Sequence, residues 1–287
     1  LDIGMIREKR WLKKMALSLL LMVMQAAFAG DPASVAAFNS SGRCVQCDLR
    51  YESFAGRDFV KADLTGAYLF NTDFKNCLMV SAALESAILI NAKLQYADLS
   101  HANMAKASLQ DANLRGATLL GANLTFANFS GAAMEAAELS EANLTTASLV
   151  GAIMQNLFAI ETQFRSADMR RADLRSAKLN GADMEGANLN NAQLGNAILN
   201  NAHMRGATLV DADLSGASLQ YVNFRQANLQ NAVLVGANLL GANLQDADFT
   251  GADLSKVDLN GVFYEGANFC KAKMPDGSIG PCRDPIK

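Results

Sequence analysis

A large apolar residue recurs every five positions over most of this chain, and that spacing constrains the fold more than any other feature. From Leu49 to Met274 the frame never slips through 46 consecutive pentads, and only Ala159 and Tyr264 depart from Leu, Met or Phe at the centre. Two residues before the centres the residue is nearly always small, Ala in 36 of the 46. A period of five matches neither the 3.6 of a helix nor the 2.0 of a flat strand, so neither element would keep both series facing one core. A chain that turns a corner every pentad would.

If four pentads close one square coil, the centres and the Ala residues both point inward and the other three positions face solvent. Small Ala is needed because two inward side chains per edge share a narrow interior, where overpacking costs about 1–3 kcal/mol. Gly, Asn and Ser after the centres suit the corners, since Gly and Asn tolerate positive φ. The pattern is A-(D/N/x)-L-x-(G/N/S), as in ADLTGAYL, DANLRGATLLGANLTFANF and GANLLGANLQDADFTGADL. In these runs the sequence resembles the pentapeptide-repeat family over residues 47–274. The resemblance implies an all-β fold, a right-handed quadrilateral parallel β-helix, in which eleven or so coils stacked at about 4.8 Å make a rod about 50 Å long.

The ends read differently. Arg7, Lys9, Arg10, Lys13 and Lys14 precede a short apolar run from Met15 to Met24 and an Ala27-Phe28-Ala29 cleavage pattern, so residues 1–29 read as a signal peptide. The apolar run falls short of the ~20 residues that span a bilayer, so no stable membrane insertion is expected once it is cleaved. The expected compartment is outside the cytoplasm, periplasmic or extracellular. Residues 30–46 read as an N-terminal cap, with Asp31-Pro32 a helix start. Residues 275–287, opened by Pro275-Asp276-Gly277, read as a C-terminal cap over the last coil, because an uncovered sheet edge templates aggregation. In an oxidising compartment Cys270 and Cys282 would bridge around that tail. Cys44 and Cys47 are a C-x-x-C pair, either bridged or plain thiols, and Cys77 at an Ala position reads as a small buried filler.

Little in the chain suits catalysis, and no cofactor or metal is expected. His101 and His203 are the only histidines, about five coils or about 24 Å apart, too far to share a metal or a proton. The 25 Lys and Arg against 28 Asp and Glu, falling to 20 against 26 after residue 29, exclude a general nucleic-acid binder. Asp63, Asp98, Asp173, Asp213 and Asp253 read as a solvated outer face. Arg165, Arg170, Arg171, Arg175 and Lys178 form a basic belt that Asp168 and Asp173 neutralise.

The remaining signal is apolar. In columns of residues 20 apart, Tyr68 lies under Ile88 and Phe70 under Ile90, with Leu78 and Val80 assigned to the next face around. These six form a candidate contact surface for a protein partner or for a second copy of the chain, against the plainer reading of scattered surface apolar residues. At Asn156-Leu157-Phe158-Ala159-Ile160 the small and large residues trade places, read either as a swapped pair or as a bulge turning Phe158 and Ile160 outward. The function expected is a non-enzymatic exported scaffold, because solenoids offer extended rigid faces. The alternative, implied by the resemblance alone, is an acidic DNA-mimic rod binding DNA gyrase, a type II topoisomerase.

Overall fold

A computed structural model describes residues 29–282. The expected signal peptide, 1–29, lies outside them but for its last position. From Arg43 onward, the residue before each centre forms a parallel bridge with the residue 20 positions later, giving four columns such as Asp48–Tyr68–Ile88 and Asp58–Leu78–Asp98. The chain is a right-handed quadrilateral β-helix of 20-residue coils. The centres and the residues two before them are buried almost without exception, and together they form one continuous apolar core along the axis.

Each position of the repeat has its own way of satisfying the backbone, and the Leu99 pentad shows all five. The Asp98 amide donates to Cys77 O of the preceding coil at 2.9 Å, and those of Leu99 and His101 donate to Thr118 O and Leu120 O of the next at 2.7 and 2.8 Å. The Ala97 amide closes a turn onto Leu94 O at 3.1 Å. That leaves the Ser100 amide, which donates to the Asp98 carboxylate at 3.0 Å. The same acceptor recurs at Asp63, Asp73, Asn123, Asp213 and Asp253. The Asp and Asn before the centres therefore cap a backbone donor that no coil neighbour reaches. Solubility alone does not account for them.

The corner residue two after the centre has positive φ, with 57° at His101 and 61° at Gly116, as a type II turn requires. Asn and Gly are common there, yet Tyr51, Lys61 and Phe126 adopt it too. The ladder bonds and buried centres outweigh the roughly 1–2 kcal/mol that a side chain costs in this region.

The exchanged pair at 156–160 keeps the frame. Leu157 and Ala159 are both fully buried, and Phe158 and Ala159 donate to Ala137 O and Lys178 O at 2.9 and 2.8 Å as regular pentads do. The swapped-pair reading holds and no bulge forms. Three polar side chains at Ala positions are satisfied alike: Thr72, Thr162 and Cys77 donate to Leu49 O, Leu139 O and Phe54 O, each 23 residues earlier. Burial pushes the Cys77 thiol pKa up, consistent with an inert filler.

At the N-terminal end α1 (Pro32–Ser41) starts at Asp31, whose carboxylate accepts the Ser34 amide at 2.9 Å, and stops at Gly42 with φ 66°. It closes the core with Phe38, stacked on Phe59 at 4.4 Å and edge-on to Phe54 at 5.2 Å. The C-terminal end is closed on one side only. Residues 275–282 return antiparallel, with Ile279 bridging Lys273 and Gly280 bonded to Lys271 and Ala272. The fourth column, however, ends at Asn238, and among the described residues Asp258 has no bridge. Leu259 and Tyr264 thus border an open cleft of about 450 Å3 with Phe269, Met274 and Pro281. Val257, Val262 and Tyr264 stand there in place of the usual Ala, Ala and Leu; the two valines are still buried, as Val222 is in a regular coil, whereas Tyr264 is 52% exposed.

Candidate interaction surface

A column advances one face per pentad, which fixes where the outward residues lie. Tyr68 bridges Ile88 directly, and Phe70 and Ile90 stand beside them on the same face. Tyr51 at the adjoining corner meets Phe70 edge-on with ring centroids 5.6 Å apart. Tyr68 is 48% exposed, whereas Phe70, Ile88 and Ile90 are half-buried by their coil neighbours. Leu78, also 48% exposed, and Val80 belong to the Asp58–Leu78–Asp98 column, two pentads on. Two pentads make half a turn, so this pair lies on the opposite face and not on the next one. The six-residue surface is therefore two separate surfaces, four residues on the Tyr68 face and two on the Leu78 face.

The basic belt is largely neutralised in place. Arg170 and Arg175 reach Asp168 and Asp173 at 2.6 Å, and Arg165 reaches Asp183 at 2.5 Å and Glu185 at 3.6 Å. The hydrogen bonds from Arg170 and Arg175 hold the Asp168 and Asp173 carboxyls below the usual range. Lys178 is placed differently, its ammonium 4.4 Å from the Phe158 ring centroid. The arginine–carboxylate pairs lie at the surface, where solvent screening leaves them little weight in stability.

His101 and His203 are exposed on different coils, and among the described residues no group of three or more His, Cys, Asp or Glu could hold a metal ion. The sulfurs of Cys44 and Cys47 stand at bonding distance with Cα atoms 5.3 Å apart, as do those of Cys270 and Cys282 with Cα atoms 4.1 Å apart. Sequence reading missed the end cleft. Its signal was the run of departures Val257, Val262 and Tyr264.

A four-sided parallel solenoid of five-residue edges defines a class of protein. Family models described as pentapeptide repeats match residues 159–191, 187–226, 223–261 and 247–276, and one described as a pentapeptide repeat region matches 67–144. The chain belongs to the pentapeptide repeat family. Among solved structures it is similar to HetL, a pentapeptide repeat protein involved in heterocyst differentiation regulation from the cyanobacterium Nostoc sp. strain PCC 7120. That match has 29% identity, 85% coverage of this chain, 97% of HetL and a TM-score of 0.34. It is also similar to the Nostoc pentapeptide repeat protein alr5209, with 39% identity, 34% and 84% coverage and a TM-score of 0.30. A third match is QnrB1, a plasmid-mediated fluoroquinolone resistance protein, with 17% identity, 79% and 84% coverage and a TM-score of 0.33. No curated protein sequence matches the chain.

Proposed function

We propose that this protein is a non-enzymatic, exported scaffold that binds a protein partner along its flat faces. The observation that carries this reading is the apolar group on the Tyr68 face. Tyr68, Phe70, Ile88 and Ile90 occupy outward positions, where core packing asks for no apolar residue and most of the repeat places a polar or charged one. The interior is filled by Leu and Ala, so binding falls to the outer faces. The gyrase-binding alternative is disfavoured because no column is continuously acidic and Asp168, Asp173 and Asp183 are each paired with an arginine.

Replacing Phe70 and Ile90 together by Ser should lower the melting temperature only modestly, because both side chains are half-buried on the outer face and lie outside the core, where large-to-small changes cost about 2–5 kcal/mol each. Retention of a co-purifying partner should fall. A double mutant that melts much earlier would place these residues in the core, and one that keeps every partner would remove the Tyr68 face from the function.

Export is the second half of the reading, motivated by the basic and apolar segments ahead of Ala29. Native protein should begin near Gly30, and peptide mapping without reductant should find Cys270 joined to Cys282. A bridge across so short a loop contributes about 3 kcal/mol by chain-entropy arguments. An intact N-terminus with free thiols, recovered from the cytoplasm, would overturn export and return the gyrase reading to first place.

A further inference from the structure

The face that carries Leu78 has a second, longer period. From Leu78 onward the outward pairs along its ladder alternate coil by coil; the first rung, Asp58 with the exposed Val60, stands outside the alternation. Leu78 with Val80, Thr118 with Leu120, Phe158 with Ile160, Ile198 with Asn200 and Asn238 with Leu240 each carry an apolar side chain. Between them lie Asp98 with Ser100, Glu138 with Ser140, Lys178 with Asn180 and Ser218 with Gln220, all polar or charged. The core repeats every 20 residues, so packing does not call for a 40-residue alternation on the outside. The apolar rungs stand two coils apart, about 9–10 Å, and Leu78, Ile160 and Leu240 are 48%, 41% and 50% exposed.

These rungs are placed symmetrically about the coil of Phe158 and Ile160. A two-fold axis lying in the face along that edge sets two copies antiparallel. It brings the 158–160 rung onto itself, the 118–120 rung onto the 198–200 rung, and Val80 onto Leu240 of the second copy. The same operation brings Glu138 against Lys178 of the second copy, twice over. Within one chain the Glu138 carboxylate accepts only the Ser140 amide, at 2.7 Å, and among the described residues no cation pairs with it. Lys178 lies over the Phe158 ring without a carboxylate partner among the described residues. Glu161 meets its own copy, but at a corner, where solvent screens the pair. A parallel pairing would also match the apolar rungs, yet it leaves Glu138 facing Ser140 and Lys178 facing Asn180.

We infer that the Leu78 face is a self-association surface, and that a second copy of this chain docks on it antiparallel about the Phe158–Ile160 rung. The inference rests on the reading of the rod as a binding scaffold, but it uses the face opposite the Tyr68 group. The strip from Leu78 to Leu240 is about 38 Å by 16 Å, or about 600 Å2 per copy. Standard interfaces bury about 800 Å2 per partner, so the dimer should be concentration-dependent.

Sedimentation velocity of the purified protein over a concentration series tests this. The wild type should pass from monomer to dimer. Lys178→Glu sets like charges against each other at two places and should weaken dimerisation by about tenfold or more, as should Glu138→Lys, while the combined reversal should return it to within about threefold of wild type. Melting curves of all three variants separate lost association from lost fold. Phe70→Ser with Ile90→Ser should leave the dimer intact. A protein that stays monomeric at every concentration overturns the inference, as does a dimer indifferent to the charge reversals or one whose combined reversal fails to recover. A dimer lost with Phe70 and Ile90 instead would move the second copy to the Tyr68 face, overturning this inference while sustaining the scaffold reading.

Discussion

Ala159→Leu should destabilise the protein by about 1–3 kcal/mol, Leu157→Ala should cost about 2–5 kcal/mol, and the two together should restore near-wild-type stability. In every other pentad of the regular region a small residue precedes the large one, whereas here Leu157 and Ala159 are both fully buried in exchanged places. Regular ladder bonds on both sides show that no backbone shift relieves the exchange, so Leu157 fills the volume that Ala159 leaves empty. Enlarging Ala159 alone overpacks that volume, and shrinking Leu157 alone leaves a cavity. Making both changes produces the ordinary Ala-x-Leu pentad. Residues that share a packing volume couple strongly, so the cycle should show an interaction energy of several kcal/mol. Urea unfolding of the four proteins, compared on the same transition, measures it. Additive effects would mean that the two side chains occupy independent spaces.

The same packing argument explains why so much of the fold was legible in the sequence. Inward positions are limited by volume, so the period of five, the Ala sites and the corner Gly and Asn had to show in the residues. Asp31-Pro32 showed the start of α1 for an equally local reason, the need to cap free amides. Outward positions are loosely constrained, and there the reading failed or stayed incomplete. Proximity in sequence suggests that Leu78 and Val80 lie one face from Tyr68, whereas two pentads are half a turn and put them on the opposite face. In the sequence Asp98 and its equivalents look like plain solvated carboxylates, since the amide that each one caps is visible only once the ladder has used the other four. The open last coil shows in the sequence only as the run of departures Val257, Val262 and Tyr264 from the usual Ala, Ala and Leu. No rule of local sequence says whether a tail will cover them.

Phe38→Ala should loosen the N-terminal end by about 3–5 kcal/mol while leaving the middle of the rod unchanged. A ten-residue helix such as α1 has little stability of its own, so its place depends on what it buries. Phe38 is the one residue of the helix that is fully buried. The first coil needs that ring, because Glu52 and Arg57 stand where later coils have Ala and cannot close the interior. Phe38 supplies the missing apolar cover over Phe54 and Phe59, and Arg57 instead turns to Asn39 of the helix at 2.5 Å. Without the ring the helix loses its anchor and the first rung becomes an exposed sheet edge. In a solenoid each coil leans mainly on its neighbours, so the damage should stay local. Amide hydrogen exchange reads this directly: protection should fall at Leu49 and Phe54, whose amides donate to Tyr68 O and Asp73 O, and persist at Leu149, whose amide donates to Asp168 O. Equal loss along the rod would mean that the solenoid unfolds as a single unit, and no loss at Leu49 would mean that the first coil holds without its cap.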